Sequence, residues 1–178
     1  MSEIDGLLAA YEDILKLPWK SNLSGSEKVW FVIYDPANER RIRLRISDFE
    51  LSTIQAGYKW DHLDITGFFP EWMAKLEYRE AYFENPEDMD PMLEDFSEFI
   101  TTEIGNKLGE ADEKTILAIN GIASLFGLTH TSKVVENASS RIKGRLLILF
   151  PGSFDGSVYR LLDARDGWNY LAVPITGR

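Results

Sequence analysis

A chain of 178 residues, 44% hydrophobic and 12% aromatic, holds material for one domain of ordinary size with a real core. No apolar run is long enough to cross a bilayer, the opening residues are acidic where a signal peptide is basic, and the absence of cysteine excludes disulfides and thiolate metal sites. The formal charge of −10 is regional: residues 77–113 carry 13 acids against Arg79 and Lys107, a balance of −11. A cytoplasmic protein is therefore expected, with no membrane contact and no sequence-independent grip on nucleic acid.

Ser2 and Asp5 have the spacing of a capping box, and Ile4, Leu7, Leu8, Tyr11, Ile14 and Leu15 then recur at helical spacing until Pro18. Trp19 to Gly25 reads as a loop, and Val29 to Tyr34 as a strand-length apolar run. Asp35-Pro36 opens a helix with Ile42, Ile46 and Phe49 on one side and Leu44 and Leu51 on another, ending near Gly57. Two apolar sides predict that more than the sheet covers it. Tyr58 to Ile65 is the second strand, and Pro70 starts a helix that runs through Trp72, Met73, Leu76 and Phe83. Asp90-Pro91 has the cap-and-first-turn pattern of a helix closed by Gly109, with Met92, Leu93, Phe96, Ile100, Ile104 and Leu108 inward and acidic residues outward. Thr115 to Asn120 is a third strand, Gly121 to Ile142 is helical in two pieces, and Arg145 to Phe150 is a strand buried on both faces.

Strands alternating with helices predict an α/β fold: a three-layer sandwich around a mostly parallel sheet of about five or six strands, with helices on both faces. The turn dipeptides Asp155-Gly156 and Asp166-Gly167 add a C-terminal antiparallel hairpin, expected at the sheet edge.

Open α/β sheets bind ligands at the carboxyl ends of their strands, which places Asp35, Asp64, Asn120 and Pro151-Gly152 as the residues to test for a Mg²⁺ or nucleotide site. No nucleophile or phosphate cradle accompanies them. Gly105-Asn-Lys-Leu-Gly109 lacks the Gly-Lys-Ser/Thr of a phosphate loop, and the glycine spacing of Gly121 to Gly127 is wrong for a dinucleotide loop. Capping of strand ends and helix starts is the preferred role for these residues. His62 and Asp64 share one side of a strand but want a third ligand, and His130 falls at a helix break. Arg40, Arg41, Arg43 and Arg45 point around one helix and do not make a stripe. No catalytic, cofactor-binding or metal-binding residue is assigned, and a cofactor-free, non-enzymatic protein is expected.

Several residue strings carry a resemblance. Leu17-Pro-Trp19-x-Ser-Asn-Leu23, Val29-Trp-Phe-x-x-Tyr-Asp-Pro36, Glu77-Tyr-Arg-Glu-Ala-Tyr-Phe-Glu84 with Pro86-Glu-Asp88, and the block from Arg145 to Ile175 resemble the BrxB family of bacteriophage-exclusion (BREX) defence systems. The resemblance runs from about Leu17 to Ile175. It implies a small required subunit of a machinery that blocks phage replication and methylates host DNA, without catalytic residues of its own. It also implies partners among the other subunits, above all the phosphatase-like PglZ. Two surfaces are candidates for such contact. One is the acidic region with Tyr78, Tyr82 and Phe83. The other is the terminal corner with Arg160, Asp163, Arg165, Asp166, Trp168 and Tyr170, which reads first as an internal arrangement pinning the hairpin. Trp19 and Asn22 are third candidates. A nucleotide- or Mg-binding sensor using Asp35, Asp64 and Asn120 is the alternative.

Overall fold

The computed structural model describes residues 2–164 and 167–177. The capping box closes as its spacing predicts: the Asp5 amide donates to Ser2 Oγ at 3.2 Å and the Ser2 amide donates to Asp5 Oδ2 at 3.1 Å. It opens α1 (Glu3–Leu15), which buries Ile4, Leu7, Tyr11 and Leu15. All six residues of β1 (Val29–Tyr34) are buried, because helices lie on both sides of it.

The Asp35 side chain caps a 3₁₀ turn at Pro36–Asn38, followed by α2 (Glu39–Leu44) and α3 (Ile46–Gln55). These two helices are parted at Arg45, where one continuous helix was expected. β2 (Lys59–Asp64) leads into α4 (Phe68–Ala74), with Pro70 in its first turn, where a missing N–H costs nothing. The helix expected to run on through Phe83 stops at Ala74, and α5 (Arg79–Glu84) is a separate piece with no buried residue. The inward stripe of Phe68, Trp72 and Met73 has no continuation at Tyr78 and Phe83, and only the partly buried Leu76 and Tyr82 pack beyond it, too little to hold the two pieces in register.

Pro86–Met92 forms 3₁₀ turns before α6 (Leu93–Glu110), which starts without a side-chain cap and runs through Gly109. β3 (Thr115–Asn120), a 3₁₀ turn at Ile122–Leu125 and α7 (Thr131–Ser139) follow. β4 (Arg145–Asp155) is eleven residues long, well past the expected end at Phe150. β5 (Val158–Leu161), β6 (Trp168–Asn169) and β7 (Val173–Thr176) complete the chain.

Five strands form a parallel sheet in the order β2-β3-β4-β1-β7, so the fold is the expected α/β sandwich. Alternation sends Val29, Phe31 and Ile33 toward α4, α6 and α7, and Trp30, Val32 and Tyr34 toward α1, α2 and α3. The antiparallel hairpin grows from the far end of β4, where Gly152 to Asp155 pair with β5. It therefore rises above a central strand, and the outer place beside β1 goes to β7, which runs parallel. Gly152 permits this: a Cβ there would run into the Arg160 carbonyl across the pair.

α1 packs on α3, yet Leu44, Leu51 and Ile54 remain 80%, 55% and 55% exposed. The second apolar side of this helix pair is thus uncovered, contrary to the expectation from its sequence, because α1 covers only the flank carrying Phe49, Ser52 and Thr53.

Candidate functional site

The strand ends come first. β2 and β3 pair with Asp64 beside Asn120, whereas Asp35 lies at the end of β1, two strand spacings beyond β3, or about 10 Å away. Only two of the three expected residues are therefore brought together. Asn120 is 3% exposed, and its side-chain oxygen meets His62 Nε2 at 2.6 Å. Asp64 Oδ1 accepts the Thr66 amide at 2.9 Å and the Thr66 hydroxyl at 2.5 Å. Partial burial works to raise the Asp64 pKa, but the Thr66 and Asn120 hydrogen bonds and the Arg43 charge hold it below its ordinary value.

Arg43 joins the cluster to β1. Its Nε donates to Glu39 Oε1 at 2.7 Å, while its other nitrogens reach the Thr66 hydroxyl at 2.8 Å and Asp64 Oδ2 at 3.4 Å. Glu39 in turn accepts from the Tyr34 hydroxyl, whose pKa is raised by burial and then by this carboxylate. Gly121 lets the turn after β3 close on the cluster: its φ is +89°, and a Cβ would stand 2.6 Å from the Thr66 amide. Asp35 is equally engaged, since its Oδ1 accepts the Ala37 amide at 2.9 Å and its own amide donates to Glu3 Oε1 at 3.0 Å. Among the described residues no group of three or more His, Asp or Glu side chains could hold a metal ion. These residues act as caps and ties.

Between the ends of β1, β4 and β7 lies a crevice of about 560 Å³ lined by Glu3, Asp35, Ser153 and Leu162 among others. Leu162 has a left-handed φ of 52°, and its amide donates to the Pro151 carbonyl at 2.9 Å. Nothing in the sequence marks a leucine for that conformation. Glu3 and Asp35, the charged groups of this crevice, are spent on capping.

The acidic region divides its three aromatic candidates. Tyr78 and Phe83 are 66% and 69% exposed, whereas Tyr82 is half-buried and packs against the core beside Met89 and Met92. Neither α5 nor Pro86–Met92 buries a residue fully, so Tyr82, Met89 and Met92 fasten a segment that otherwise faces solvent. Glu77, Glu80, Glu84, Glu87 and Asp88 surround the two outward rings in sequence and are all exposed.

In the terminal corner, Trp168 meets Phe31 edge-on at 5.5 Å, Tyr159 at 5.9 Å and Tyr170 at 4.6 Å. Its indole N–H donates to Glu136 Oε1 at 3.4 Å. The Tyr159 hydroxyl donates to the Ala172 carbonyl at 2.9 Å, and burial pushes its pKa up to about 12. This aromatic cluster fixes the hairpin on the sheet face that also carries α7. Arg160 and Asp163 are exposed, and Arg165 and Asp166 lie outside the described residues.

Trp19 is a packing residue at the opposite end of the sheet. It stacks on Tyr58 at 3.9 Å and carries the buried Arg145 guanidinium 4.6 Å from its ring centroid, while Asn22 is exposed. The buried cation was missed in the sequence, although an arginine at the head of an apolar strand and two nearby tryptophans were its signal.

The structure thus defines a three-layer α/β protein whose strand-end polar groups are engaged in caps and local ties and whose most solvent-exposed aromatics lie in its acidic segment. No family model, no curated protein and no solved structure matches this chain.

Proposed function

We propose that this chain is a non-catalytic interaction subunit that docks a basic surface of another protein through the acidic segment around α5. The observation that carries the reading is the pair Tyr78 and Phe83, two large aromatics left outside the core within a region of charge −11. Exposed aromatics ringed by charge supply what an interface needs: apolar anchors that gain by losing water, and a rim that steers an oppositely charged partner. The engagement of Asp35, Asp64 and Asn120 in capping supports this reading over a nucleotide or Mg²⁺ sensor. The resemblance to BrxB proteins names the setting as a BREX defence system and the phosphatase-like PglZ as the first partner to test. In that setting the subunit supports phage exclusion and host-DNA methylation.

Co-purification with each BREX subunit, PglZ first, is the experiment. Association is expected at micromolar concentration, weakening as salt rises. Tyr78→Ala with Phe83→Ala should cost about 2 kcal/mol or more of binding, roughly 30-fold, while leaving the melting temperature unchanged because neither ring is buried. Absence of any associating subunit, or an undiminished complex in the double variant, overturns the proposal.

A further inference from the structure

A second site lies away from the acidic segment. The start of α7 faces the hairpin across a cavity of about 370 Å³, lined by Phe150, Tyr159, Leu161 and Trp168 on the hairpin and sheet side and by His130 and Thr131 on the helix side. That volume falls at the lower end of the roughly 300–1,000 Å³ of small-molecule sites. Three features set its chemistry.

The first is the unfinished helix start. His130 occupies the N-cap position with extended backbone, φ −86° and ψ 127°, but its side chain caps nothing. The first amides of α7, beginning with Thr131 and Ser132, have no partner within the helix, and both residues line the cavity. The second feature is Thr131 itself. It is 6% exposed and its Oγ1 has no hydrogen-bond partner. A buried hydroxyl left unsatisfied costs stability, and a ligand oxygen beside the helix start would remove that cost. The third is the wall. Phe126 and Trp168 present aromatic surface, and no acidic side chain is among the described lining residues of a chain whose net charge is −10.

We propose that this cavity binds a small organic anion: a flat apolar ring system bearing one carboxylate or phosphate. The rings lie against Trp168 and Phe126, and the anionic oxygens accept from the first amides of α7 and from the Thr131 hydroxyl. Partial positive charge at the helix start favours the anion, and the apolar wall rejects a free inorganic ion. Such a ligand would touch the hairpin and α7 together, so its binding would stabilise the join between them.

Calorimetric titration of the full chain tests the site with two acid and neutral pairs: 2-naphthoate against 2-naphthalenemethanol, and AMP against adenosine. At least one acid should bind with a dissociation constant of millimolar or below, with its neutral partner at least tenfold weaker. The acid that binds tells whether carboxylate or phosphate is the natural head group. Thr131→Val should weaken it severalfold. His130→Asp is the decisive variant, because an aspartate at this N-cap would satisfy the amides from within. Its melting temperature should rise while affinity for the anion falls at least tenfold, a combination that misfolding cannot produce. Neither acid binding at millimolar concentration, equal binding of acid and neutral partner, or unchanged affinity in His130→Asp overturns the proposal.

Discussion

Asn120 shows how one side chain converts a strand end into a closed junction. It is buried, and it bridges His62 on one side and Asp64 on the other. Asn120→Ala removes both bonds and leaves a cavity at a buried position, while the exposed His62 and Asp64 turn to water, so it should cost about 2 kcal/mol in urea denaturation. Tyr11→Phe should cost less, about 1 kcal/mol. It removes the bond to Thr53 Oγ1, but Thr53 keeps its 2.7 Å bond to the Phe49 carbonyl. At this scale the sequence was legible by residue type and position: Asp35, Asp64 and Asn120 stand where strand order and turn chemistry place them. The cation that ties down Asp64 was not legible. Arg43 is one of four arginines within six residues, and only the path of α2 past the ends of β1, β2 and β3 selects it.

Elements bounded by strong local chemistry match their sequence signals, as α1 does with its capping box and β1 and β3 do with their unbroken apolar runs. Elements decided by distant packing do not. The pieces around Lys75 and Arg45 break where no proline or glycine announces it, and β4 extends because β5 returns to pair with it. Leu44 and Leu51 look like core residues by periodicity and, with Ile54, stay wet because no element among the described residues crosses them. Two glycines separate local preference from packing. Gly109, in α6, has open space around the position of a Cβ, so Gly109→Ala should stabilise by about 0.5–1 kcal/mol through helix propensity. Gly152 sits against the Arg160 carbonyl, so Gly152→Ala should force β4 and β5 apart and cost about 1–3 kcal/mol. Thermal melts of the two variants should move in opposite directions.

Across the whole molecule, the weakest member of the sheet is its outer strand β2, which pairs on one side only and has none of its six residues fully buried. It is held by aspartates along its length. Asp112 bonds Lys59 at its amino end and also accepts from Thr115 and the Lys114 amide, Lys107 pairs with Asp61 at 3.3 Å in the middle, and Asp64 is tied to Thr66 and Arg43 at the carboxyl end. The Lys59 contact first, then Thr115 and Lys114, lowers the Asp112 carboxyl from 3.8 to about 2, and Asp64 is held low as well. A carboxyl depressed in the folded state adds stability that is present above its unfolded pKa and lost as pH falls through the folded value. Stability should therefore decline from about pH 4 toward pH 2, and β2 should be the first strand to open. Hydrogen exchange read across that interval should show the amides of Lys59–Asp64 losing protection before those of β1 and of residues 145–151 in β4, which are buried on both faces. Asp112→Asn with Asp64→Asn should flatten the pH dependence and open β2 already at neutral pH. Simultaneous opening of all five strands would mean that the aspartates do not set the stability of the edge.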